Sequence, residues 1–310
     1  MTPYSPFDHT VTAKIIEKIN ADDIIKGYKN VYKLDPAYLF KNSQFIYLCQ
    51  CPITDLLFYF PFQLDGDSSF YERISKGDWY YAENRWEHTK AIDFIKDGDT
   101  VLEIGSGAGS FLKQLISKKK ITYTGLELNT AAIERAEQNS IYLKNELLSE
   151  HVKKNELKYD VVCSFQVYEH ISNIDSVFSD SVKSLKAGGL LIVSVPNNDL
   201  ACIRYNKHES RFLNMPPHHT NLFTSGSLKK IALHYDLKLM DTISEPIQDN
   251  LIHSYLYNRF YKLFLNSNFL VRVAWKLKLY LPAVALVKKY RHKIKGHTII
   301  AVYQKSPLST

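Results

Sequence analysis

The chain has little that would anchor or cross-link it. No stretch reaches the roughly 18 charge-free apolar residues of a membrane-spanning helix, and the opening MTPYSPFDHT lacks the apolar run of a signal peptide. The expected location is the cytoplasm. Four cysteines in 310 residues, Cys49, Cys51, Cys163 and Cys202, follow no framework spacing. That argues against disulfides and suits a reducing compartment. One residue separates Cys49 from Cys51, too few for a zinc-knuckle hairpin, and no second pair completes four ligands, so no metal is expected. Acid is missing from one long segment: Leu251 to Gly296 holds ten Lys and Arg and no Asp or Glu. Without it, 29 of the 39 basic residues face all 32 acidic ones, so this segment alone produces the net charge of +7.

A length of 310 residues with 45% hydrophobic content can bury a full core. FIYLCQCPITDLLFYFPF reads as one or two strands, broken at Pro52 and ended near Pro61. WYYAENRWEHTKAIDFI, from Trp79, has a helical face through Trp86, Ile92 and Ile95. Strand and helix signals then alternate. TVLEIG, TYTGLEL, YDVVCSF and LLIVSVP are strands; SFLKQLISKKK, TAAIERAEQN and DSVFSDSVKSLKAGG, the last ending at its glycines, are helices; HTIIAVYQK is a final strand. The pattern predicts an α/β fold, a Rossmann-like doubly wound sheet that is mostly parallel. It divides the chain into an N-terminal extension (1–78), a core (79–250), a basic helical insertion (251–296) and the last core strand with its tail (297–310).

Glu103, Gly105, Gly107 and Gly109 lie at the first strand-to-helix turn of that series. Small residues there let backbone N–H groups approach a polar ligand, although a glycine-rich turn also occurs with no ligand. The spacing departs from the dinucleotide fingerprint, because Ser110 stands where its third glycine belongs. Glu127 ends the next strand, as either a ribose-binding carboxylate or a cap for the following helix.

With VLEIGSGAGSFL, TGLELN, YDVVCSFQVYEH and LKAGGLLIVSVPN in this order, the chain resembles the class I S-adenosylmethionine-dependent methyltransferases over Trp79 to Pro196 and the last strand. WYYAENRWEH, FQVYEHI, NMPPHHTNLFT and GHTIIAVYQK look like a bacterial group associated with sugar or surface-polysaccharide modification, alongside quinone-type O-methyltransferases. The resemblance implies S-adenosylmethionine as cofactor. Gly105 and Gly107 would lie against its methionyl part, Glu103 would hold its amino end, Glu127 its ribose, Asn145 or Glu146 its adenine, and Gln166 would face the methionine. It also implies an antiparallel last strand. The alternatives are a noncatalytic S-adenosylmethionine-binding module and an NAD-dependent oxidoreductase.

Methyl transfer to a hydroxyl gains from a base, and histidine suits that role near neutral pH. His170 follows the YDVVCSF strand, where it either packs beside the cofactor or acts on the acceptor. His218 and His219, in NMPPHHTNLFT, are expected in the active site because two adjacent polar rings after two prolines are hard to explain as core. Neighbouring side chains point in different directions, so the pair reads as a poor chelator. The segment 251–296, with Ile252, Leu256, Phe260 and Leu263 at helical spacing, reads either as packed helices with solvated basic faces or as a surface that meets anionic lipid at the membrane periphery. SFQVYEH lacks the NPPY-like tetrapeptide that holds a flipped base, which argues against nucleic acid. The acceptor is expected to be a small molecule or a saccharide.

Overall fold

A computed structural model describes residues 2–40, 43–74, 85–199, 209–264 and 267–307. Its main sheet is built on the runs that the sequence marks as apolar on both faces. β4 (Thr100–Ile104), β5 (Thr122–Leu126), β6 (Tyr159–Phe165) and β7 (Leu185–Pro196) run parallel, and β10 (Lys295–Lys305) lies antiparallel between β7 and β9 (Leu237–Pro246), in the order β5-β4-β6-β7-β10-β9. Alternate residues of each strand enter opposite layers. Leu102, Val162, Leu191, Ile299 and Ala301 pack with Phe178 of α7 (Ile174–Ser184) and Ile231 of α8 (Ser225–His234). Val101, Val161, Cys163, Ile192 and Ile300 pack with Ile92 of α3 (Trp86–Ile92) and Leu115 of α4 (Ser110–Lys118). The expected doubly wound sheet with an antiparallel C-terminal strand is what forms. From β4 the chain steps outward to β5, passes α5 (Thr130–Gln138) and α6 (Leu148–Val152), and returns on the other side of β4 as β6. A crevice opens at the carboxyl ends of the strands where the order reverses.

Three local readings need correction. The helix expected to end at Gly188 and Gly189 stops at Ser184, because Leu185 is already fully buried and pairs with Tyr159. β9 escaped the sequence reading because it is a half-exposed edge strand whose polar residues mask its alternation. The helix expected from Trp79 begins at Trp86; residues 79–84, with Tyr80 and Tyr81, lie outside the described residues.

The described residues up to Ile74 build a second, antiparallel sheet. β1 (Lys14–Asn20), β2 (Phe45–Gln50) and β3 (Leu57–Phe60) form it with α1 (Ala21–Tyr32) and α2 (Ser68–Ile74) packed alongside. Its fourth strand, β8 (Asn221–Leu222), comes from far along the chain and follows the paired histidines directly. The break at Pro52 is the hairpin between β2 and β3, where Cys51 N donates to Leu56 O. Cys49, Cys51 and Cys163 are buried free thiols, while Cys202 lies outside the described residues. The basic segment folds as α9 (Ile252–Leu263), α10 (Asn268–Lys276) and α11 (Leu281–Lys289), whose shared apolar contacts run through Ile252, Leu256 and Val287. Among the described residues no helix is long and apolar enough to cross a membrane.

Candidate active site

The glycine turn sits at the carboxyl end of β4, and its backbone explains its composition. Gly105 has φ +71°, and a Cβ there would lie 2.5 Å from Val167 Cγ2, so the turn presses against the segment that follows β6. Gly107 N donates to Glu127 Oε2 at 2.7 Å, and Glu127 Oε1 accepts from the N–H groups of Leu128 and Asn129, both at 2.8 Å. Glu127 thus ties the turn after β5 to the turn after β4, a role the sequence did not reveal. Glu103, at the end of β4, is buried with Oε2 lacking a hydrogen-bond partner, and burial lifts its pKa well above the ordinary carboxylate range. Gln166 adopts φ +56°, unusual for a residue with a side chain, and donates from Nε2 to Ser194 Oγ.

Two expected contacts are placed elsewhere. Gly109, at φ +74°, caps α4 and points its missing Cβ at Ile141, 2.8 Å away, so its smallness serves packing. Asn145 is exposed and donates to Leu128 O, while its neighbours Glu146 and Leu147 line the cavity.

The three histidines line that cavity too. His218 N and His219 N both donate to Met215 O, a turn that puts adjacent side chains on one side of the chain. Their rings stack at 4.4 Å with 19° between planes, which corrects the expectation that they diverge. His170, in the short helical turn after β6, brings its ring within 4.6 Å of His218 and 5.0 Å of His219. Three groups of contacts hold this loop. Tyr28, Tyr59 and Tyr71 donate to the carbonyls of Met215, Asn214 and His218. Thr220 N donates to Glu169 O, and Asn221 Nδ2 to the carbonyls of Tyr168 and Ile171. The N-terminal sheet completes the frame, with Tyr59 N bonded to Thr220 O. The extension is therefore scaffold for the histidine loop.

Burial pushes the pKa of His170 down to about 4 and that of His218 to about 3, and holds His219 well below its ordinary value. Near neutral pH all three rings are uncharged, and as free imidazoles they are far weaker bases than the sequence reading supposed. Beside them Glu169 is buried with its pKa pushed up to about 8 by loss of solvation, and Oε2 has no hydrogen-bond partner. Glu87, Arg85 and Glu245 line the same wall, with Arg85 3.8 Å from Glu87. The sequence reading passed over these carboxylates because single acids on mixed segments carry no spacing signal.

One cavity of about 1850 Å³ joins the glycine turn, Glu127, Gln166 and the three histidines. That exceeds the roughly 300–1,000 Å³ of a site for one small ligand, so it has room for two.

Known proteins share this architecture. The chain is 26% identical over 104 residues to a ubiquinone biosynthesis O-methyltransferase from Pelagibacter ubique, covering 32% of this chain and 43% of that protein. It is 31% identical over 136 residues to a sterol 24-C-methyltransferase from Gibberella zeae, covering 40% and 35%. The chain thus spans less than half the length of these curated relatives. The crystal structure of a SAM dependent methyltransferase from Archaeoglobus fulgidus superposes with a TM-score of 0.50 at 17% identity, over 77% of this chain and all of that one, a likeness of fold. Residues 71–242, more than half of the chain, match the family described as "Methyltransferase domain". The chain belongs to that family.

Proposed function

We propose that this chain transfers a methyl group from S-adenosylmethionine to an oxygen of a small-molecule or saccharide acceptor, in surface-polysaccharide biosynthesis and at an anionic membrane surface. The observation that carries the reading is the shared cavity, lined by the glycine turn, Glu127 and the three histidines. S-adenosylmethionine supplies the methyl as an electrophilic carbon on a sulfonium. The residues present fit it. Glu103 offers a buried carboxylate oxygen that lacks a donor, which an α-ammonium group would supply. Glu127 holds the loop with three backbone donors and has one lone pair, on Oε2, left for a ribose hydroxyl. Gly105 and Gly107 give close access to the backbone.

For the acceptor, the main requirement is a fixed approach, and orientation alone can supply several kcal/mol of the barrier. His170, His218 and His219 hold the acceptor oxygen in this reading. A saccharide suits the same wall, because Glu87, Glu169 and Glu245 provide buried carboxylates for its hydroxyls. The relatives named above carry O-methyl and C-methyl names respectively, so the atom methylated is what an assay must read. Calorimetry tests the cofactor half: S-adenosylhomocysteine should bind at one site per chain and NAD should not. Saturation with NAD instead would replace methyl transfer with an oxidoreductase reading, and cofactor binding without turnover on any acceptor would leave a binding module.

The basic helices supply the membrane part. Leu263, Phe269, Leu270, Leu277, Leu281 and Leu286 are exposed on α9 to α11 and their connections, with Phe269 at 72% and Leu263 at 71%. Lys and Arg surround them with no acidic residue between Leu251 and Gly296. Apolar side chains flanked by cations bind anionic interfaces, each Lys or Arg near the surface contributing about 1 kcal/mol. Vesicles containing phosphatidylserine should therefore sediment the chain at low salt and release it as salt rises, while phosphatidylcholine vesicles should not. Absence of binding at low salt would return the segment to a solvated packing role.

A further inference from the structure

We infer that His170, His218 and His219 form a binding site for a divalent transition-metal ion of the zinc class. One ring nitrogen from each of the three lies within 4.8 Å of the others. The hydrogen bonds around them decide which nitrogen of each ring carries the proton. His170 Nδ1 contacts His218 O at 2.5 Å and His218 Nδ1 contacts Leu213 O at 2.9 Å; a carbonyl only accepts, so both Nδ1 atoms carry the proton. For His219 the partner is Asn214 Oδ1 at 3.0 Å, and a chain of amides fixes its orientation. Asn198 Nδ2 donates to Pro196 O, so Asn198 Oδ1 accepts from Asn214 Nδ2, which leaves Asn214 Oδ1 to accept from His219. All three neutral rings are therefore protonated at Nδ1 and carry the lone pair on Nε2.

Metal-bound histidines show this same pattern, donating the other ring N–H to a carbonyl or amide that fixes tautomer and orientation. Glu169 adds to the set. Its Oε1 lies 3.9 Å from His170 Nε2, and its buried Oε2 has no hydrogen-bond partner. On capture of a dication this acid would give up its proton, and the resulting carboxylate would balance part of the charge. Imidazole donors select zinc, iron, nickel or copper over magnesium or calcium. At a zinc–nitrogen distance of about 2.0–2.1 Å, tetrahedral ligands sit about 3.4 Å apart, so capture draws the three nitrogens inward. The stacked rings of His218 and His219 also have to splay, which their broad χ2 torsions allow.

Within the methyl-transfer reading, on which this role rests, the ion would lower the pKa of an acceptor hydroxyl, the proton leaving to water. That assigns the histidines a part that their low basicity denies them as free bases. The binding site itself does not depend on that reading.

The test uses the untagged full chain, first stripped with a chelator. Titration with Co²⁺ should produce the visible absorption of a nitrogen-ligated site and saturate at one ion per chain. Titration with Zn²⁺ should shift the ¹⁵N resonances of three histidine Nε2 atoms. His170→Ala and His219→Ala should each weaken binding by about tenfold or more, and thermal melting would confirm that each variant is folded. Glu169→Gln, which keeps the shape of the side chain, should weaken binding less. If the wild-type chain binds Co²⁺ no better than His219→Ala, or its Nε2 resonances do not move with Zn²⁺, the metal site is wrong while methyl transfer stands. If the ion binds as described and no acceptor is ever methylated, the transfer reading fails and the site remains.

Discussion

Replacing Glu127 with alanine is expected to weaken S-adenosylhomocysteine by about tenfold or more. A charge-assisted hydrogen bond contributes about 1.5–3 kcal/mol, so one ribose hydroxyl on the remaining lone pair is about one to two decades in affinity. The structure adds a second cause. Glu127 Oε2 also receives Gly107 N, so its removal frees the glycine turn from the turn after β5. Glu127→Gln separates the two effects: the amide oxygen can still accept from Gly107 N, but the charge on the ribose contact is lost. Calorimetry with both variants should rank wild type above glutamine above alanine. Equal affinity across the three would take Glu127 out of the cofactor site.

The second large effect is expected at the histidine cluster. His218→Ala and His219→Ala should keep affinity for S-adenosylhomocysteine near wild type and lose about a hundredfold or more in turnover, the pattern of a group that acts on the acceptor and not on the donor. Both rings are buried, so each variant is first checked by thermal melting. A parallel loss of cofactor affinity would mean that the loop supports the whole cavity. Near-normal turnover in both would make the pair structural, and another group would have to handle the acceptor.

The parts of this molecule that were legible in the sequence are those with a local cause. VLEIG, YDVVCSF and LLIVSVP read as buried parallel strands because their apolar runs have no other use, and each became a strand of the main sheet. Gly105 was legible as part of a close-approach turn because a side chain does not fit at φ +71° with a Cβ 2.5 Å from Val167 Cγ2. What stayed hidden depends on distant partners. Nothing near Asn221 says that it pairs with Phe58, or that Tyr28, Tyr59 and Tyr71 reach the carbonyls of residues 214–218. Gly109 caps α4, and a glycine forced by a cap and one forced by a ligand look alike in one dimension. The stacking of His218 on His219 was missed because alternation holds for extended chain, and Met215 O turns this segment back on itself. Glu169 sat beside His170 in plain view, yet its significance comes from burial, which no neighbouring residue announces.

The central claim is transfer of a methyl group to oxygen in this cavity, and isotope labelling tests it most directly. S-adenosylmethionine carrying a ¹³C methyl would be incubated with the chain and with saccharide and lipid-linked saccharide fractions, and the product examined by NMR, where methyl on oxygen, nitrogen and carbon resonate in separate regions. The account predicts a new O-methyl resonance that grows with time and is missing with Glu127→Ala. Label appearing on carbon or nitrogen, or label that never leaves the donor while S-adenosylhomocysteine still binds, would contradict it.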